Sequence, residues 1–217
     1  LYDKILAYAK TLLPEIDTRD LTLENGWICA AGEPALALEA LAQECYYSLT
    51  NSSVITAEVS RQVKKNTIAT GCCFAEVEVD MKVGQIKVLH IINVHDSGKL
   101  LNPQLAEMQV HGGMSMGMGY GLSEQLILDE KTGRLLNGNL LDYKLMTALD
   151  TPDIKAGFVE LDDPMGPYGN KALGEPPAIP SAPAIRNAVL HATGVAFNEN
   201  PLTPQRLIDG FQKAGLI

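Results

Sequence analysis

Between Phe74 and Val94 the sequence commits the chain to a two-stranded ribbon. Ala75, Val77 and Val79 alternate with Glu76, Glu78 and Asp80, a period of two that suits a strand with one wet face. Val83-Gly84-Gln85 supplies the turn, and Ile86 to Val94 returns as a more buried strand. Elsewhere the periods are mostly helical. Tyr2, Ile5, Leu6, Ala9, Leu12 and Leu13 predict an amphipathic first helix that Pro14 ends. Leu21–Leu23 and Trp27–Cys29 flank Asn25-Gly26, the strongest two-residue hairpin signal. A second helix is expected with Pro34 in its first turn and Leu38, Leu41, Ala42 and Cys45 on one face.

Asn102-Pro103 reads as the start of a third helix, which should dissolve into a run of glycines, with Leu105, Met108, Gln109 and Gly112 facing inward. Leu126–Leu128 and Phe158–Leu161 read as further strand material. Pro176-Pro177 leads into a helix carrying Ile185, Ala188, Val189 and Ala192 on one face, and Pro204 opens the last helix. Strands and helices mix without a regular βαβ alternation, so the fold class is α+β. The 217 residues read as one domain, 1–217, with room for a sub-division near residues 66–74.

Composition narrows the function. Seventeen basic against twenty-six acidic residues give a net charge of −9, and no Lys/Arg cluster exceeds Lys64-Lys65. Such a chain has no electrostatic footprint for nucleic acid or an anionic membrane. The longest uncharged stretch, Met108 to Ser123, contains five glycines and is too short to span a bilayer. Cys29, Cys45, Cys72 and Cys73 form no C-x-x-C pair, so they read as small buried thiols in a reducing cytoplasm. The chain opens on Leu1 in a helical pattern, and we read it as a piece of a longer protein.

Three places hold residues suited to chemistry. The first is Gln109-Val110-His111-Gly112-Gly113-Met114-Ser115-Met116-Gly117-Met118-Gly119-Tyr120-Gly121, whose glycines would let backbone N–H groups approach a ligand. Within it, Gly113-Met-Ser115-Met-Gly117 matches the nucleophile elbow of serine hydrolases, and Asp142, Asp150 or Asp153 followed by His191 would complete a triad in hydrolase order. The second is Gly169-Asn170-Lys171-Ala172-Leu173-Gly174-Glu175-Pro176-Pro177, where Pro176 biases Glu175 to extended backbone and a carboxylate just before a helix can serve as a general base. The third is Asn93-Val94-His95-Asp96-Ser97-Gly98, a strand exit in which His95 and Asp96 are candidate metal ligands. No other group of residues has metal-ligand spacing.

Taken together, V-H-D-S-G-K-L-L-N-P, Q-V-H-G-G-M-S-M-G-M-G and N-K-A-L-G-E-P-P resemble the C-terminal part of the molybdenum-binding subunit of the xanthine dehydrogenase and aldehyde oxidase family. The likeness covers nearly the whole chain and leans toward bacterial xanthine dehydrogenases. It implies the C-terminal portion of a molybdenum-cofactor-binding domain, with molybdenum–molybdopterin shared with residues upstream of Leu1. It further implies Glu175 as catalytic base and Gln109, Lys171, Gly112 and Gly113 as cofactor-binding residues. The implied reaction is hydroxylation of a purine such as xanthine, with oxygen from water. Aldehyde oxidation in the same family is the alternative, since the residues that select between them lie upstream. Electrons would leave through iron–sulfur clusters and FAD, carried only on other domains or subunits, to NAD. Alone, the chain is expected to be inactive.

Overall fold

The computed structural model describes residues 1–50, 52–60, 62 and 65–217; Lys64, half of the basic pair noted above, lies outside them. The chain divides into two compact units, Leu1–Gln62 and Val63–Ile217.

In the first unit, helix α1 (Tyr2–Leu12) precedes a meander of β1 (Leu21–Glu24), β2 (Trp27–Ala30) and β3 (Glu33–Ala37), then helix α2 (Leu38–Tyr47). The hairpin turns exactly where Asn25-Gly26 allows it, with φ of 47° and 80° at the two positions, the pair of left-handed residues that a type I′ turn needs. A second two-residue turn follows at Ala31 and Gly32, φ 52° and 87°. That turn overrides the expected helix start: Pro34 lies in β3, opposite Cys29. Because β3 is an edge strand, a residue without an N–H is tolerated there. Leu6, Ala9, Leu21, Ile28, Leu41 and Cys45 form an apolar core for this unit.

The second unit is built on the ribbon. Strands β4 (Thr70–Asp80) and β5 (Gln85–Asp96) pair antiparallel from Thr70 opposite Asp96 to Asp80 opposite Gln85, with a bulge at Glu76/Val77. Strand β6 (Asp153–Phe158) adds parallel to the far side of β5, so β5 is central. The strand expected at Phe158–Leu161 therefore ends where it should begin. Leu128 and Leu135 make only an isolated bridge, because the Asp129 carboxylate accepts from the Lys131 and Thr132 amides and closes a tight turn with short arms. The α+β class holds for both units.

Helix α3 (Pro103–Leu122) corrects a second expectation, since it runs unbroken through all five glycines. Each interior glycine costs about 1 kcal/mol of helix propensity relative to alanine, and close packing offsets that cost. A Cβ on Gly113 would lie 2.7 Å from Pro177 Cβ, and one on Gly117 2.7 Å from Ser181 Cβ. These glycines let helix α4 (Ser181–Thr193) and the turn before it sit directly on the α3 backbone. The inward face is Ala106, Val110, Met114 and Met118 with these glycines, whereas Leu105, Met108, Gln109 and Gly112 are exposed. Met114 and Met118 join Val88, Ile91 and Ile185 in the central core, on the order of 1.5–3 kcal/mol for each fully buried side chain. Helix α5 (Pro204–Lys213) adds Leu207 and Phe211 to a neighbouring cluster with Val189 and Leu202.

Candidate functional site

The candidate residues collect where β5 ends and α3 begins. Past Asp96 the chain leaves the sheet and is met by the 169–171 segment: Lys171 N donates to Ser97 O at 2.7 Å and Lys99 N to Gly169 O at 2.9 Å. The Lys171 ammonium closes on the Asp96 carboxylate at 2.6 Å, both side chains being nearly buried. That ammonium, with the Gly98 amide at 3.0 Å, holds the Asp96 carboxyl below the usual carboxylate range, so Asp96 is a carboxylate at neutral pH. The arrangement removes the metal-ligand reading of His95 and Asp96. Asp96 is committed to Lys171, and His95, its strand neighbour, is buried on the opposite face. Burial lowers the His95 pKa, leaving the ring neutral.

From the other side, α3 presents Gln109, whose Nε2 donates to the Gly174 carbonyl at 2.9 Å. Gln109, Lys171, Leu173, Leu105, Asn102 and Ser97 line one cavity of about 260 Å³. Two residues separated by sixty-odd positions thus share a wall. One residue beyond Gly174, the Glu175 carbonyl accepts from Ala178 N at 3.0 Å, which closes a turn through Pro176 and Pro177. The Glu175 side chain is exposed, and its carboxylate makes no hydrogen bond or ion pair to a described residue.

The glycines behave differently from one another. In a continuous helix their amides belong to the i to i−4 ladder, so the idea that they donate to a ligand does not hold. Gly113 is used up in packing against Pro177, whereas a Cβ on Gly112 would meet nothing within 4 Å. The hydrolase alternative fails on the same helix. Ser115 sits mid-way along α3, and a nucleophile elbow requires a strand running into a sharp turn at the serine. Of the cysteines, Cys29 and Cys45 are buried as expected, but Cys72 is exposed. Cys73 is half-buried, and burial pushes its thiol up to about 11, which makes it an inert thiol.

Gln109 and the ion-paired Lys171 thus wall one cavity, and the turn carrying the exposed Glu175 carboxylate follows directly on the Gly174 carbonyl that Gln109 holds. The model of the molybdopterin cofactor-binding domain matches residues 1–152. The chain belongs to the molybdopterin cofactor-binding domain family. It is 47% identical over its whole length to the xanthine dehydrogenase molybdenum-binding subunit of Escherichia coli O157:H7, spanning 29% of that subunit. Over 70% of its length it is 34% identical to the aldehyde oxidoreductase molybdenum-binding subunit PaoC of E. coli K12, spanning 20% of it. Among solved structures, quinoline 2-oxidoreductase from Pseudomonas putida 86 superposes with a TM-score of 0.75 at 28% identity, covering 97% of this chain and 28% of that one. The chain therefore spans less than a third of the relatives it matches, and the cofactor that defines this family is molybdenum–molybdopterin.

Sequence reasoning passed over Asn93 and gave Asp96 only a metal role. Asn93 and His95 occupy the inward register of β5, Ser97 follows just past its end, and each is at most 3% exposed. Polar residues at alternate positions where the buried strand pattern runs out are the available signal, because buried polar groups need partners.

Proposed function

We propose that this chain forms the C-terminal part of the molybdenum-binding subunit of a molybdenum hydroxylase, with Glu175 as the base and Gln109 and Lys171 beside the cofactor. When bound, the molybdenum–pterin group supplies the two-electron oxidation by which oxygen from water enters an electron-poor carbon. The described residues hold no group of three or more His, Cys, Asp or Glu side chains able to bind a metal ion, so this chain's contacts fall on the organic part of the cofactor. The donor set suits that role. Gln109 spends one N–H on Gly174 and keeps its carbonyl oxygen and second N–H for the pterin. Exposed Gly112 leaves room beside it. Lys171 contributes its stem and backbone rather than its charge, which Asp96 neutralises.

The observation that carries the proposal is the unpartnered Glu175 carboxylate on a turn whose preceding carbonyl is fixed by Gln109. Its task is to remove the proton of the attacking oxygen, and the open side of the turn lets substrate approach. For substrate we favour an electron-poor nitrogen heterocycle, a purine such as xanthine. The 47% identical relative is a xanthine dehydrogenase subunit, and the structural neighbour acts on quinoline, also a nitrogen heterocycle. Aldehyde oxidation is the second reading, supported by the 34% identical relative. Because the relatives are named as subunits, we place the iron–sulfur and FAD centres on partners or on other domains, and the assembly in the cytoplasm. No helix among the described residues is long and apolar enough to cross a membrane.

The test uses the whole subunit assembled with its partners. Glu175→Gln keeps volume and backbone but removes the base, so kcat for purine hydroxylation should fall about 10²–10⁴-fold, with molybdenum content and melting temperature unchanged. Full metal with undiminished turnover would overturn the assignment. Comparing xanthine with an aromatic aldehyde as substrates decides between the two readings.

A further inference from the structure

We infer that Asn93 is a positioning residue for the Glu175 turn. This rests on the reading of Glu175 as the base, but the geometry is independent of it. Asn93 is fully buried on the central strand β5, and its Nδ2 donates to the Pro177 carbonyl at 3.0 Å. A carbonyl only accepts, so the atom facing it must be the amide nitrogen. The same carbonyl accepts from the Ser181 hydroxyl at 3.3 Å, and the Pro177 ring rests against Gly113, where even a Cβ would come within 2.7 Å. Pro177 is thus seated from three elements at once: β5, α3 and the first turn of α4.

That seat transmits to Glu175 with little slack. Pro176 and Pro177 each have φ fixed near about −65° by their rings, and the Ala178 amide closes back on the Glu175 carbonyl. On the other flank Gln109 holds the Gly174 carbonyl. Two side-chain amides therefore bracket the Glu175–Pro176 pair, one from the sheet and one from α3. Stability alone does not explain Asn93. Its Oδ1 is buried with no hydrogen-bond partner among the described residues, and an apolar residue on the same central strand would avoid that cost. An amide retained at such a cost, aimed at the one backbone carbonyl two residues after the base, points to placement of that base.

The experiment compares Asn93→Val, Asn93→Ser and Glu175→Gln in the assembled enzyme. It reads hydrogen exchange of the 174–180 segment, molybdenum content, melting temperature, and kcat and KM separately. Valine suits a central strand but cannot donate; serine is polar but too short to reach Pro177, and it keeps the test open if the valine variant fails to fold. With positioning, both Asn93 variants exchange the Ala178 amide faster and lose kcat about 10- to 100-fold, as expected for a catalytic group misplaced by an ångström or less. KM, metal content and melting temperature stay near wild type. Wild-type exchange and kcat in a folded variant would overturn the inference while leaving the base assignment intact. So would a loss of kcat that merely tracks lost metal and lowered melting temperature, the mark of a structural role. An active Glu175→Gln enzyme would instead overturn the base assignment, whatever the Asn93 variants show.

Discussion

Helices α3 and α5 open in the same way and then diverge. Asn102 caps α3 by accepting from Leu105 N at 3.0 Å, and Thr203 caps α5 by accepting from Arg206 N at 3.4 Å; each cap is followed by proline. Beyond the first turn α5 has one apolar face, with Leu207 and Phe211 buried and Gln205, Asp209 and Lys213 in water. Helix α3 carries apolar residues on its exposed side as well as its buried one. Its small residues and methionines face the sheet and α4, while Leu105, Met108, Met116 and Tyr120 remain exposed in this chain. A helix with exposed apolar residues opposite its packed face has surface for a further partner, and the chain spans 29% of the xanthine dehydrogenase subunit it resembles. The contrast is between a helix that only packs and one that packs on one side and serves the candidate site, through Gln109, on the other.

The largest effect on stability should come from the helix that only packs. Phe211 is fully buried and meets Phe197 edge-on at a centroid distance of 5.6 Å. Phe211→Ala should destabilise by about 3–5 kcal/mol in a thermal or denaturant melt. In whatever fraction stays folded, turnover per molybdenum should be unchanged, because the cluster that holds Leu207 and Phe211 contains no residue of the Glu175 turn. A selective loss of kcat would break the division of labour between the helices. Next comes the packed face of α3. Gly117→Ala improves helix propensity, yet its Cβ would press on the Ala178 carbonyl and on Ser181 Cβ. Overpacking at a backbone contact costs about 1–3 kcal/mol, so net destabilisation is expected, together with loosening of the turn that carries Glu175. A melting temperature at or above wild type would show that α4 can give way.

What the sequence revealed follows from which interactions are local. The hairpin at Asn25-Gly26, the cap at Asn102-Pro103 and the alternation of Ala75–Asp80 are encoded within a few residues, and each appears where its signal stands. Pro34 was misplaced because the second turn, at Ala31-Gly32, outweighs proline's preference for a helix start. Propensity marks the glycines of α3 as breakers because it counts only the helix itself, whereas Pro177, Ser181 and Ala182 make a partner surface that rewards their smallness. The same error put Gln109 and Gly112 on the inward face. The family likeness points to Glu175, Gln109 and Lys171; the fold brings the last two to one cavity, and Gln109 also holds the carbonyl of Gly174, the residue before Glu175. Asp96 as partner of Lys171 and Asn93 as partner of Pro177 are contacts across 75 and 84 positions. No local pattern specifies them.

The smallest expected effect is the one that sharpens the comparison most. Gly112 and Gly113 are adjacent on α3, yet Gly113 meets Pro177 while a Cβ on Gly112 would touch nothing. Gly112→Ala should therefore raise stability by about 0.5–1 kcal/mol, through helix propensity and a less flexible unfolded chain. If the exposed face of α3 only awaited packing by the rest of a subunit with slack to spare, the variant would be more stable and fully loaded. On the cofactor-facing reading of Gln109, the added methyl intrudes beside the pterin, so molybdenum content of the assembled enzyme should fall even as the apoprotein melts at a higher temperature. A measured rise in both stability and metal content would remove Gly112 from the cofactor surface and confine that role to Gln109 and the 171–175 segment.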